Sequence, residues 1–189
     1  MMKPATIRAF LTGRDRRSIG KSNALVARLE QQRELLPELV QHLWDPDPII
    51  AMRAADALEK FTRSQKEVLQ RFKNELLGLA EETRQQELRW HLAAVLPRLQ
   101  LTSSELRRVM KVLTHYLEDK SSIVKTFALQ GMFDLSIQHS ELRPQIEELV
   151  NVALSTGTAA MRARARKLLS QMAREGRTKK AASGEGRGR

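Results

Sequence analysis

Residues 13–23, GRDRRSIGKSN, set two glycines, a lysine and a serine in an order that suggests a phosphate-binding loop. That chemistry needs four residues between the first glycine and the Gly-Lys-Ser end, so that successive backbone amides wrap one phosphate before a helix begins. Here six residues separate Gly13 from Gly20. The preceding TIRAFLT is too short and mixed for the hydrophobic strand that feeds such a loop, and no aspartate-ended strand for magnesium follows. Nucleotide hydrolysis is therefore not expected. The stretch reads as a basic loop running into a helix, with Ser22 or Asn23 capping the amides of Ala24 to Val26.

Other chemistries find few residues to work with. The chain has no cysteine, which excludes disulfides, cysteine-ligated zinc and thiol catalysis. Its four histidines, His42, His91, His115 and His139, are not paired at the i, i+3 or i+4 spacing of helical metal ligands. The doublets Glu81-Glu82 and Glu147-Glu148 have no histidine partner and read as solvated faces. No Ser-His-Asp set is singled out, and no cofactor, metal or small-molecule substrate is indicated. The expectation is a protein that is not an enzyme.

Charge is the stronger signal. The net charge is +11, but residues 1–33 hold a net +6, residues 162–189 a net +8, and residues 34–161 a net −3. Basic ends on a near-neutral middle suggest nucleic acid or an acidic partner, or simply two solvated ends. Apolar content of 41% fits a globular chain. No apolar run approaches the roughly 18 residues of a membrane span, and no secretory h-region opens the sequence. A cytoplasmic location with no membrane association is expected.

The elements that must position any site announce themselves by repetition. Leu35, Phe72, Val109 and Ile146 lie 37 residues apart, as do Leu39, Leu76, Leu113 and Val150, and Leu43, Ala80, Leu117 and Leu154. Within each unit these three positions are spaced i, i+4, i+8, one face of an α-helix. A second helix follows with one residue of slippage. Its columns are Ile50, Leu88, Val124, Met161; Ala54, Leu92, Ala128, Ala165; Leu58, Leu96, Met132, Leu169; and Phe61, Leu99, Leu135, Met172. Small residues hold three of the four places in the second column, where helices approach closely, and Gly131 in the third unit serves the same purpose. Ser64-x-x-Glu67, Thr83-x-x-Gln86 and Thr102-x-x-Glu105 read as capping boxes. Asp47-Pro48 reads as an N-cap followed by proline at the first helical position, Pro37 and Pro144 also suit first turns, and Pro97 should end or kink its helix. Four pairs result, at about 34–62, 65–100, 102–138 and 141–174, with a capping helix at about 22–32 and a weak turn within 4–12. One such hairpin has one apolar face and needs a neighbour to cover it.

These units resemble HEAT repeats over roughly 34–173. The segments DPDPIIAMRAADALEKF (45–61), LRWHLAAVLPRL (88–99) and DKSSIVKTFALQGMFDL (119–135) carry the likeness to the family's turn and second helix. The resemblance implies an all-α, right-handed α-solenoid of about four helix pairs. It divides the chain into a basic, partly flexible segment at 1–21, a repeat domain at 22–174 and a disordered basic tail at 175–189. It also implies a ladder between a turn Asp and an Arg or Lys six residues on. Asp119 and Lys125 match that pairing. Arg162 matches the basic half only, and Asp45 the acidic half, with Ala51 in the basic slot and Arg53 as substitute. Glu82 has Arg89 one place late.

Candidate binding residues follow from the same resemblance, because second helices line a HEAT concave face. Arg53, Arg89, Lys125, Arg162 and Arg164 recur there and read either as ladder or as a phosphate track, with His91 beside them. Arg166, Lys167, Lys179 and Lys180 form a basic end patch. Trp90, in a column with Met52, Thr126 and Ala163, lacks a second aromatic and reads as packing. HEAT-like alkylation-repair glycosylases use aromatics and an acid on the concave face, and those parts are not visible here. The expected function is a non-enzymatic scaffold that binds a partner protein through its concave face. Sequence-nonspecific nucleic-acid binding is the alternative, and a repair glycosylase the more distant one.

Overall fold

The computed structural model describes residues 7–13 and 18–184, the last nine of these by backbone alone. Among them every regular element is helical. Two lead the chain, α1 (Arg8–Leu11) and α2 (Ser22–Gln31). Four pairs follow: α3 (Leu36–Gln41) with α4 (Pro48–Phe61), α5 (Lys73–Glu82) with α6 (Gln86–Val95), α7 (Ser103–Leu117) with α8 (Ser122–Gln138), and α9 (Arg143–Thr156) with α10 (Ala159–Gly184). The even-numbered helices pack on one another in chain order, α2 on α4, α4 on α6, α6 on α8 and α8 on α10. Each of α3, α5, α7 and α9 packs on the even-numbered helix that follows it.

The recurring apolar positions form the interior. Of the 28 residues in the seven columns, 23 are buried. The other five, Leu35, Leu117, Leu154, Met161 and Leu169, pack against the core from its margin. In the second column of these helices Ala54 of α4, Ala128 of α8 and Ala165 of α10 are wholly enclosed. Gly131 is obligatory at the α6–α8 crossing. A Cβ there would stand 2.5 Å from the carbonyl oxygen of Ala93. The backbones therefore touch, and no side chain fits between them.

Local chemistry sets the ends. Thr102 and Glu105 form the expected capping box at the start of α7. Asp47 accepts from the amide of Ile49 ahead of Pro48, and Ser121 does the same from Val124 at α8. Pro37, Pro48 and Pro144 occupy first turns, and α6 ends at Val95 just before Leu96-Pro97. Two expected boxes do not form. Residues 66–72 adopt a 3-10 stretch behind Gln65, so Ser64 caps nothing. The residue before α6 is Gln85, whose own amide donates to the Thr83 hydroxyl.

Two boundaries differ from those read in the sequence. The packed body takes in residues ahead of 22, because Ile7 and Leu11 are buried and tie α1 into the core. At the other end, α10 continues to Gly184, through residues expected to lack structure from 175 onward. Lys, Arg and Ala are good helix formers, and extending an existing helix avoids the cost of nucleation, so Gly176 alone does not stop it. None of the helices is long and apolar enough to cross a membrane among the described residues.

Candidate functional site

The glycine loop is built around a cation, and that cation belongs to the protein. Arg53, on α4, is only 1% exposed. Its Nη1 donates to the Leu11 carbonyl at 2.9 Å and to that of Gly13 at 3.4 Å, and its Nε donates to the Ser18 carbonyl at 3.1 Å. Gly13 has φ 142° and Gly20 φ 58°, in the range that favours glycine. A Cβ on Gly13 would fall 2.7 Å from Nη1, and one on Gly20 2.9 Å from Cζ. The chain presents carbonyl oxygens inward where a phosphate loop presents amides. Arg14, Asp15, Arg16 and Arg17 lie outside the described residues. Arg53 is thus removed from the candidate concave-face residues, since its guanidinium is consumed in holding the N-terminal segment.

His91 is removed as well. It is 2% exposed on α6, with Nδ1 2.7 Å from the Glu87 carbonyl. Its Nε2 stands 3.7 Å from Asp56 Oδ1 on α4. Asp56 also accepts from the hydroxyl of buried Ser22 and from Lys60 Nζ at 2.7 Å, and Lys60 reaches Asn23 at 2.8 Å. Ser22 therefore serves this network and not the cap expected of it; no side chain caps α2. Burial would push the Asp56 carboxyl up, but His91, Lys60 and Ser22 outweigh it and hold it down at about 2. The set contains serine, histidine and aspartate, yet the carboxylate sits between the other two. A serine that donates to a strongly ionised carboxylate has no base to activate it. The cluster fastens α2 to α4 and α6.

The turn aspartates form ladders, with partners other than those expected. Asp45 pairs with Arg8 of α1 and not with Arg53, while accepting from its own Asp47 amide. Asp119 pairs with Arg89 of the preceding pair at 2.6 Å and accepts from the Ser121 amide at 2.7 Å. Arg89 also donates to the Thr83 carbonyl and lies over the Tyr116 ring. Lys125, expected as the partner of Asp119, is half-buried and makes no ion pair among the described residues. The rule behind both pairs is forward reach, from an arginine on one unit to the aspartate turn of the next. No aspartate pairs with a cation six residues on within its own unit among the described residues.

A groove crosses the face made by α4, α6, α8 and α10. Its volume is about 510 Å³, and Glu59, Arg98, Phe127, Gln130, Asp134 and Arg164 line it. Phe127 does what the slipped column hid. It lies 5.1 Å from Trp90, ring to ring, and carries Arg164 over its ring at 5.9 Å. Trp90, Phe127 and Arg164 are spaced by an unslipped 37 residues, and that interval was the signal available. Arg164 donates to the Gln130 side chain at 2.6 Å, which in turn donates to Asp134 at 2.7 Å. Burial pushes the Asp134 carboxyl up against the opposing influence of Gln130, Arg98 and Arg164. At the far wall Glu59 is held by Arg63 and Arg98, and its carboxyl is lowered by those partners despite burial. No group of His, Asp and Glu able to hold a metal ion occurs among the described residues.

The remaining candidates lie on α10. Arg162 is exposed and donates to the Gly157 carbonyl at 2.6 Å. Arg166 and Lys167 are exposed and make no ion pair among the described residues. The side chains of Lys179 and Lys180 lie outside the described residues. The arrangement is all-helical among the described residues, with a groove across its even-numbered helices and a basic last helix. Comparison with family models, curated proteins and solved structures returns no match.

Proposed function

We propose that the chain is a HEAT-like α-solenoid of four helix pairs, capped by α1 and α2, and that it binds a partner protein in the α4–α10 groove. The order of helix contacts and the enclosed small-residue column support the solenoid reading. The observation that carries the binding reading is the half-buried Trp90–Phe127–Arg164 ladder, whose Phe127 and Arg164 line a groove with polar walls. Aromatic and arginine side chains supply most hot spots of protein interfaces, because they contribute large contact area with few rotatable bonds. The groove is held open by internal pairs, Glu59 with Arg98 and Gln130 with Asp134, so its shape exists before a partner arrives.

A photo-crosslinking residue placed at Gln130 tests the reading against the same residue at exposed Glu147 on α9. A discrete protein adduct from position 130 and not from 147 is expected. Adducts at both positions alike, or adducts that nuclease removes, would refute it. Phe127→Ala should weaken the captured partner at least tenfold, in line with about 2 kcal/mol for a central aromatic anchor.

A further inference from the structure

The outer face of α10 is charged in a way that works against the helix itself. Arg162, Arg166, Lys167 and Arg174 are exposed, while Ala165, Leu168 and Met172 on the opposite side are buried. No acid occurs from 159 to 174, and the first to appear, Glu175, pairs with Arg143 at 2.7 Å. Arg162 stands in the first turn, where the helix dipole disfavours a cation. Arg162 and Arg166 are like charges at i, i+4, and Arg164 and Lys167 at i, i+3, each spacing repulsive on a helix surface. A terminal helix needs only a polar outer face to end a stack, and mixed charge would meet that need at lower cost. The excess of one sign calls for a separate explanation.

We infer that this face binds the sugar-phosphate backbone of duplex nucleic acid without sequence preference. From Arg162 to Lys167 the helix rises about 7.5 Å, and a duplex presents one phosphate for about every 1.7 Å of its axis, so phosphates lie close enough together for Arg162, Arg166 and Lys167 to meet one each. An anionic membrane fits less well. A surface-lying helix buries an apolar face in lipid, and the apolar face of α10 is already spent on α8 and α9. An acidic protein would leave these cations without an anchor, since Ala163, Ser170, Gln171 and Ala173 are the exposed residues between them. The face is distinct from the groove and does not depend on what the groove holds.

The test is fluorescence anisotropy of the full chain with a labelled 24-base-pair duplex of arbitrary sequence, across 50 to 300 mM salt. Release of about one counterion per phosphate predicts a log–log slope near −2.7 or steeper for Arg162, Arg166 and Lys167, roughly sixfold weaker binding for each doubling of salt. Arg166→Ala/Lys167→Ala should flatten the slope by about 1.8. Arg107→Ala/Lys111→Ala, which removes the same charge from the exposed face of α7, should leave it nearly unchanged. Both pairs are exposed, and equal melting temperatures would show that each variant folds. Absence of binding at 50 mM salt, equal losses in the two variants, or displacement by phosphatidylserine vesicles or polyglutamate as readily as by unlabelled duplex would overturn the inference. Phe127→Ala should bind duplex normally, which separates this outcome from the fate of the groove.

Discussion

Arg53 and Asp56, one turn apart on α4, show how buried charge can organise a chain end. The guanidinium collects three carbonyl groups from residues 11–18, and the carboxylate collects Ser22, Lys60 and His91. Removing one partner from such a set leaves the rest uncompensated, so Asp56→Ala should cost about 3 kcal/mol at pH 7 by urea denaturation. The sign of its pH dependence is fixed. The folded carboxyl titrates at about 2 against an ordinary value of 3.8, so its contribution is full above 3.8 and is lost as pH falls through about 2. The gap between wild type and variant should therefore hold from pH 7 to about 4 and narrow below. Glycine substitutions probe the loop directly. Gly20→Ala meets both a left-handed φ and the Arg53 side chain, and should destabilise by more than about 1 kcal/mol. Gly78→Ala, inside α5 with nothing within 4 Å of the new Cβ, should stabilise by about 0.5–1 kcal/mol.

At the scale of the element, the sequence patterns that are purely local and those that need a neighbour part company. Thr102-x-x-Glu105 forms its box because both partners lie within one turn of an uninterrupted helix. Ser64-x-x-Glu67 carries the same letters, but the 3-10 stretch at 66–72 turns too tightly for an α-helical first turn to exist there. Thr102→Ala should thus cost about 1 kcal/mol, and Ser64→Ala close to nothing, as read from thermal unfolding. Helix packing imposes the harsher demand. Gly131→Ala would drive a methyl group into the Ala93 carbonyl and should cost more than Leu96→Ala or Leu113→Ala, which create cavities worth about 2–5 kcal/mol each. Circular dichroism melts of the three variants would rank them.

For the molecule as a whole, the two ends are unequal although both are basic. The N-terminal segment contributes Ile7, Leu11 and the cap on Arg53, so deleting residues 1–20 should lower stability by about 3–6 kcal/mol. Deleting residues 176–189 keeps every core residue named above and should shift the melting temperature by no more than a degree or two, while Glu175 retains Arg143. A fall in melting temperature on C-terminal truncation comparable to that on N-terminal truncation would contradict this division. One end stabilises the groove's scaffold, and the other carries charge outward.

The sequence alone determined the helices, their pairing, the apolar interior and most helix starts, because burial and capping depend on spacings of three to eight residues along one chain. Leu39, Leu76, Leu113 and Val150 needed no structure to be recognised as interior. Polar partners were decided only by the tertiary structure. Arg8 reaching Asp45, Arg89 reaching Asp119, Arg53 enclosed by its own N-terminal loop, and Phe127 between Trp90 and Arg164 all join residues 30 to 42 positions apart. A long side chain can swing toward either neighbouring unit, and a one-residue slip in the second helices turns each face by about 100°. Which cation is enclosed and which stays in solvent is settled when the helices meet.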